Sequence, residues 1–244
     1  VYLDSLSQVT TFNAGDGIDD LLDIAIAQDV NLTTAGLVGF ERLNVAGSNN
    51  TLSAGNSSEN NWDISGINTG SVSGGSIGIS FTGFINFVGG SAVDHFVLSG
   101  NGAFTGDIDG GSASNNTLTN RSLESTWTSD GNGSGRVVAT GIDFTFSNFL
   151  SLIGGSAKDT FNITHNFTSI NAGSGTNEVN ISSGAVLTTV STGDDVDTIT
   201  VSDAGTRITS LTTAGDNDVF YLSGLDAAAI TTLNAGDNND TINI

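Results

Sequence analysis

The sequence predicts an all-β chain wound as a right-handed parallel β-helix, a β-solenoid of about 20–22 residues per coil. Three observations point there: a glycine-centred corner that recurs along the chain, a run of period-two alternation after each corner, and the complete absence of proline. An interior strand must donate to neighbours on both sides, which proline cannot do.

The corners come first. Aligned on their second small residue they read "NAGDGIDDLLDI" at Gly15, "VAGSNNTL" at Gly47, "VGGSAVDHFVL" at Gly90 and "DGGSASNNTL" at Gly111. They continue with "IGGSAKDTFNI" at Gly155, "NAGSGTNEVNI" at Gly173, "STGDDVDTITV" at Gly193, "TAGDNDVFYL" at Gly215 and "NAGDNNDTINI" at Gly236. From Gly155 the steps are 18, 20, 22 and 21 residues. The steps of 43 residues from Gly47 to Gly90 and 44 from Gly111 to Gly155 read as two coils each, with one corner disguised near residues 66 to 80 and 131 to 142. A longer period lies over the short one, because Trp62 and Trp127, Phe81 and Phe146, Phe84 and Phe149, Gly90 and Gly155, and Phe96 and Phe161 are all 65 residues apart.

The strands follow from the corners. Phe96 with Leu98, or Ile242 with Ile244, alternate with polar residues as a half-buried strand does. A second apolar pulse such as "SLTTAG" (Ser210 to Gly215) or "TTLNAG" (Thr231 to Gly236) leads into the next corner. Two or three short strands per unit then stack as parallel coils about 4.8 Å apart. Only Asp19 to Asp29 and Leu225 to Ile230 look briefly helical. No shift of composition divides the chain, so residues 1–244 form a single β-solenoid segment of 11 or 12 coils, with the 65-residue super-repeat inside about 61–165. With valine at position 1, the segment reads as a piece of a much longer repetitive protein.

Composition excludes several functions. Five basic residues against 26 acidic ones give a net charge of −21, which repels nucleic acid and anionic membrane surfaces. No run of about 18 apolar residues exists, so nothing here reads as inserting into a membrane. Cysteine is absent, which removes disulfides and thiolate metal sites. Richness in Gly, Asn, Ser and Thr with one lysine fits an exported, extracellular bacterial surface protein.

The corners "GGSAVDHFV" (Gly89 to Val97) and "GGSAKDTFN" (Gly154 to Asn162) resemble the nonapeptide of RTX proteins, Gly-Gly-x-Gly-x-Asp-x-U-x, whose coils bind calcium at their turns. The resemblance implies the Asp role for Asp94, Asp159, Asp197 and Asp240 and the inward U role for Phe96, Phe161, Ile199 and Ile242. It departs at the fourth position, which holds Ala92, Ala157, Asp195 and Asn238, and at Asn177, which stands where Asp is expected. The nonapeptide appears once per coil, so at most one row of sites exists. The arrangement from Asn60 to Leu98 is also similar to repeat regions of filamentous-haemagglutinin-type and biofilm-matrix adhesins. That implies an extended exported stalk.

Each candidate site has a plain structural reading beside its chemical one. Asp94 and Asp159 either ligate calcium or satisfy backbone N–H groups at stacked turns. The acidic corners bearing Asp194, Asp195, Asp197, Asp216, Asp218, Asp237 and Asp240 are stronger calcium candidates, since stacked carboxylates repel unless a cation intervenes. Trp62 and Trp127 are candidates for stacking on a glycan, or else cap the core. Phe81, Phe84, Phe87 and Phe96 form an internal ladder. His95 and His165 lie in different coils and read as exposed. Asp107 and Asp109 are too corner-like for acid–base work, no triad or P-loop motif occurs, and no regular rank of threonines for ice binding is evident.

The function these residues predict is a non-catalytic structural and adhesive stalk segment of a secreted bacterial adhesin. Its expected partner is an extracellular polysaccharide or another cell-surface protein. The alternative is an RTX-like calcium-binding accessory module of an exported polysaccharide-modifying enzyme or protease.

Overall fold

The computed structural model describes residues 2–3, 12–32, 37–47, 49–54, 59–75, 77–100 and 103–244, and among them every regular element is a strand. Seven short strands open the chain: β1 (Tyr2–Leu3), β2 (Phe12–Asn13), β3 (Leu21–Ile24), β4 (Val30–Asn31), β5 (Leu37–Val38), β6 (Arg42–Val45) and β7 (Asn50–Ser53). Next come β8 (Asn60–Gly66), β9 (Thr69–Gly74) and β10 (Ile77–Thr82), which pair antiparallel as a meander. The chain continues through β11 (Phe84–Val88), β12 (Asp94–Leu98), β13 (Asp107–Asp109) and β14 (Thr117–Asn120) to a second antiparallel meander, β15 (Ser125–Gly131), β16 (Ser134–Ala139) and β17 (Ile142–Ser147). The last part is the most regular: β18 (Ser151–Ile153), β19 (Asp159–Ile163), β20 (Phe167–Asn171), β21 (Glu178–Ile181), β22 (Val186–Ser191) and β23 (Thr198–Ser202). It ends with β24 (Arg207–Thr212), β25 (Val219–Ser223), β26 (Ile230–Asn234) and β27 (Thr241–Asn243).

These strands form two large, mostly parallel sheets. One has 13 strands in the order β1-β3-β6-β10-β9-β8-β12-β14-β18-β20-β22-β24-β26, and the other has 12, from β27 through the odd-numbered strands to β4 with β17, β16 and β15 inside it. A two-stranded sheet, β2 with β5, completes the described strands. Neither large sheet closes on itself. From β18 onward successive strands alternate between the sheets, and each pairs in parallel with the strand two further on, as β19 does with β21 and β20 with β22. At about 4.8 Å per strand the larger sheet spans about 58 Å across its strands.

The inward positions of both sheets meet in one buried apolar cluster that runs from Leu22 to Phe220. Period-two alternation explains it: in β12 Phe96 and Leu98 are buried while His95 and Val97 between them are partly open. Aromatic side chains thicken this core around the meanders. Trp62 stacks on Phe96 with ring centroids 4.9 Å apart, Trp127 stacks on Phe161 at 5.2 Å, and Phe81, Phe87, Phe146 and Phe149 pack edge-on or tilted beside them. The internal Phe ladder expected from the sequence is therefore present.

Two expectations are corrected. The described residues of 66 to 80 and of 131 to 142 hold no disguised corners; they belong to the turns and strands of the two meanders. From β18 onward each unit contributes one strand to each large sheet, and the N-terminal units add a third through β2 and β5, within the expected two or three. Neither helix-like stretch is a helix: Asp19 to Asp29 contains β3, and Leu225 to Ile230 is a turn, closed by the Ala229 N–H donating to the Asp226 carbonyl at 3.2 Å, that leads into β26. In both, Leu22 with Ile24 and Ala229 with the partly buried Ile230 are drawn into the sheet core, so tertiary burial overrides a weak helical propensity.

Candidate functional site

Every corner in the regular part ends on an Asp or Asn at, or one residue before, the start of a strand in the 12-stranded sheet. These side chains are stacked. The N–H of Asp159 donates to Asn177 Oδ1 at 2.9 Å, that of Asn177 to Asp197 Oδ1 at 2.7 Å, that of Asp197 to Asp218 Oδ1 at 2.8 Å, and that of Asp218 to Asp240 Oδ1 at 3.0 Å. One oxygen of each corner thus caps the backbone of the rung before it. The 13-stranded sheet repeats the device once, where the Asp94 N–H donates to Asn116 Oδ1 at 2.9 Å.

The glycines make this stacking possible. Gly173 has φ +79°, and a Cβ there would lie 2.2 Å from the Gly155 carbonyl oxygen. Only glycine combines that backbone with so close an approach. Further round the acidic corners the left-handed positions fall on Asp195, Asp216 and Asn238, the residue types that tolerate them best.

Burial then sets the electrostatics. Asp94, Asp159, Asp197 and Asp218 are fully buried. Asp94 is well furnished: Oδ1 accepts from Trp62 Nε1 at 3.0 Å and Asn60 Nδ2 at 2.9 Å, and Oδ2 accepts from the Gly90 N–H at 2.8 Å. Asp159 accepts from the Ser125 hydroxyl and, at 2.8 Å, from the Gly155 N–H. The Trp127 Nε1 beside it closes no hydrogen bond. Asp197 and Asp218 are poorer, because Oδ2 of each has no hydrogen-bond partner. Desolvation raises all four pKa values above the ordinary carboxylate range, and in Asp197, with Asp218 adding repulsion, it reaches about 6.

The remaining acids of the predicted calcium set lie elsewhere. Asp194, Asp195, Asp216 and Asp237 are exposed and Asp240 is partly buried. Asp195 Oδ2 accepts from the Gly175 N–H at 3.0 Å, again a carboxylate capping the previous rung. Among the described residues no three His, Cys, Asp or Glu side chains come together as a metal-ion shell. Each inward carboxylate gives one oxygen to a backbone N–H, whereas calcium gathers roughly six to eight oxygen ligands round one point.

Trp62 and Trp127 do not present a glycan platform. They are 1% and 0% exposed and fill the core beneath the meanders. The histidines are half-buried rather than exposed. His95 Nδ1 pairs with Thr117 Oγ1 at 2.7 Å and Nε2 with Glu59 at 3.2 Å, while His165 Nδ1 lies 3.0 Å from Thr164 Oγ1. The Thr117, His95 and Glu59 groups line up as hydroxyl, imidazole and carboxylate. Yet Thr117 sits in an interior strand whose backbone is paired with β12 and β18, which leaves no pair of free N–H groups for an oxyanion. Asp107 and Asp109 belong to β13 and are bonded to Thr145 and Asn148.

One set of residues escaped the sequence reading. "FTSIN", "LTTVS", "ITSLT" and "ITTLN" are the strands β20, β22, β24 and β26, and their register sets Thr168, Thr188, Thr209 and Thr231 in a single rank. The expectation that no regular threonine rank exists is thus overturned. The signal was a repeated apolar-Thr-(Ser/Thr)-apolar pattern just ahead of each corner.

No protein-family model, curated protein or solved structure matches the chain.

Proposed function

We propose that the chain is a non-catalytic stalk segment of a secreted bacterial surface adhesin, its two sheets being the faces of a right-handed parallel β-solenoid of about 20–22 residues per coil. The observation that carries this reading is the ladder from Asp159 to Asp240, in which each rung is capped by the next and in turn caps the one before. A structure held rung to rung can be lengthened without changing its cross-section, which suits a spacer that carries adhesion away from a cell. The net charge of −21 favours an extracellular polysaccharide or another cell-surface protein as partner over nucleic acid or an anionic membrane.

The test is display of the chain on a non-adherent bacterial host, with attachment scored on polysaccharide-coated surfaces and on cell layers. Attachment above the host background supports the adhesive role, and background levels on every surface overturn it. Solution scattering tests the solenoid separately: an elongated particle is expected, and a compact sphere of the same mass would refute it.

A second reading, an RTX-like calcium-binding accessory module of an exported enzyme, is favoured by one observation. The Asp194 carboxylate lies against the corner at Gly215, next to the exposed Asp216, so exposed acids crowd from rung to rung. Thermal melting with calcium and with chelator separates the two. A midpoint raised by calcium would support the module, and an unchanged one removes it.

A further inference from the structure

The strands β20, β22, β24 and β26 all follow one pattern: an inward apolar residue, two outward hydroxyl residues, a second inward apolar residue and a small polar one. Because their register is unbroken, the outward groups fall into three columns. The first is Thr168, Thr188, Thr209 and Thr231, all exposed. The second is Ser169, Thr189, Ser210 and Thr232, and the pairing extends it through Ser151 to Thr117, six rungs of uninterrupted hydroxyls. The third is Asn171, Ser191, Thr212 and Asn234.

The array is uncharged, in a chain that carries 26 acidic and five basic residues. It holds no aromatic ring on which a sugar could stack. Its groups repeat at the rung spacing of about 4.8 Å, so the second column extends about 24 Å. A hydroxyl gains little from a single hydrogen bond in water, since it gives up an equal bond to solvent. A flexible glycan laid on such a face would also lose conformational freedom as it ordered. Net binding comes only from a partner that is itself rigid and periodic and meets many groups at once.

We propose that this face of the 13-stranded sheet binds the lattice of ice. The Thr column offers a methyl group and a hydroxyl at each rung, which holds water molecules at a fixed repeat that a growing crystal can incorporate. Lack of charge is part of the fit, because a strongly hydrated ion would impose its own water shell. This inference stands apart from the adhesive reading: cell attachment can fail while ice capture holds, and the reverse.

The experiment is ice-affinity partitioning of the full chain into a slowly growing ice front. Wild type is expected to enter the ice, and the double variant Thr188→Tyr/Thr209→Tyr to be enriched at least about tenfold less, since the array acts only as a whole. Thr188→Val/Thr209→Val, which keeps the β-branched shape, guards against a folding defect; circular dichroism confirms the fold of each variant. Thr200→Lys, on the 12-stranded sheet, is expected to partition as wild type does. Exclusion of wild type from ice overturns the proposal, as does equal enrichment of wild type and both double variants. Exclusion from ice together with co-sedimentation on crystalline cellulose also overturns it and assigns the face to a polysaccharide.

Discussion

The ladder predicts that one buried carboxylate destabilises the protein at neutral pH. Asp197 is fully buried, its Oδ1 accepts the Asn177 N–H, its Oδ2 has no hydrogen-bond partner, and its pKa is raised from 3.8 to about 6. A carboxyl whose pKa is higher in the folded state takes up a proton on folding. Its contribution is therefore present in full below pH 3.8 and is lost as the pH rises through about 6. At about 1.4 kcal/mol per pH unit the loss is at most about 3 kcal/mol, since Asp218 one rung away titrates with it. Asp197→Asn removes the charge and keeps the Oδ1 acceptor. Asn177 already fills the equivalent place, its Nδ2 donating to the Gly173 carbonyl at 3.2 Å. At pH 7 the variant should melt above wild type by at most about 6–12 °C, and at pH 4 the two should nearly coincide. Thermal denaturation followed by circular dichroism from pH 4 to 8, in chelator, measures both. A variant that melts below wild type at pH 7, or a gap that does not widen with pH, would refute the reasoning.

The other carboxylates and the aromatic core give sharper contrasts. Asp94→Asn should have the opposite sign at pH 7, a loss of about 1–3 kcal/mol, because the Gly90 N–H would then face an amide rather than an acceptor; urea titration reads it. Trp62→Phe should cost more than Trp127→Phe by about 1.5–3 kcal/mol, since only the Trp62 Nε1 reaches a carboxylate, and equal losses would contradict the assigned bonds. Gly173→Ala should lose at least about 1–3 kcal/mol, from its left-handed φ and the clash with Gly155.

Most of the fold was legible because period two and the corner spacing are written residue by residue. The meanders were not, because an antiparallel strand alternates as a parallel one does. The cue that was missed lay in the turns: Asn132-Gly133 joins β15 to β16, and Gly133 with φ +67° is the hairpin residue such a pair supplies. The inward place of Trp62 was also available, since Asn60, Trp62 and Ile64 alternate with Asn61 and Asp63 and all three are buried. The polar residues around the tryptophan suggested a surface, but they are the other face of its own strand. What no linear reading supplies is which Asp oxygen meets which N–H, since that depends on the vertical register of corners about 20 residues apart.

The same register shows how the two copies of the 65-residue unit sit in the sheets. Each meander puts three strands where the neighbouring units put one, so it lengthens its sheet by two rungs, about 10 Å. Between β6 and β12 the 13-stranded sheet gains β10, β9 and β8, while opposite them β7 pairs directly with β11. Left alone, that excess would force every later connection to climb between sheets out of step. From the first meander to the second the chain makes five visits, namely the meander itself, β11, β12, β13 and β14. An odd number returns the duplicate to the opposite sheet, where β17, β16 and β15 enter between β13 and β19 while β14 pairs directly with β18. Each member of the pairs Trp62 and Trp127, Phe81 and Phe146, and Phe96 and Phe161 accordingly lies in a different sheet from its partner. With an even number of visits the two excesses would add to about 19 Å in one sheet instead of cancelling. The duplication therefore leaves the two large sheets with the same number of added strands, and the regular alternation from β18 onward follows once both meanders are in place.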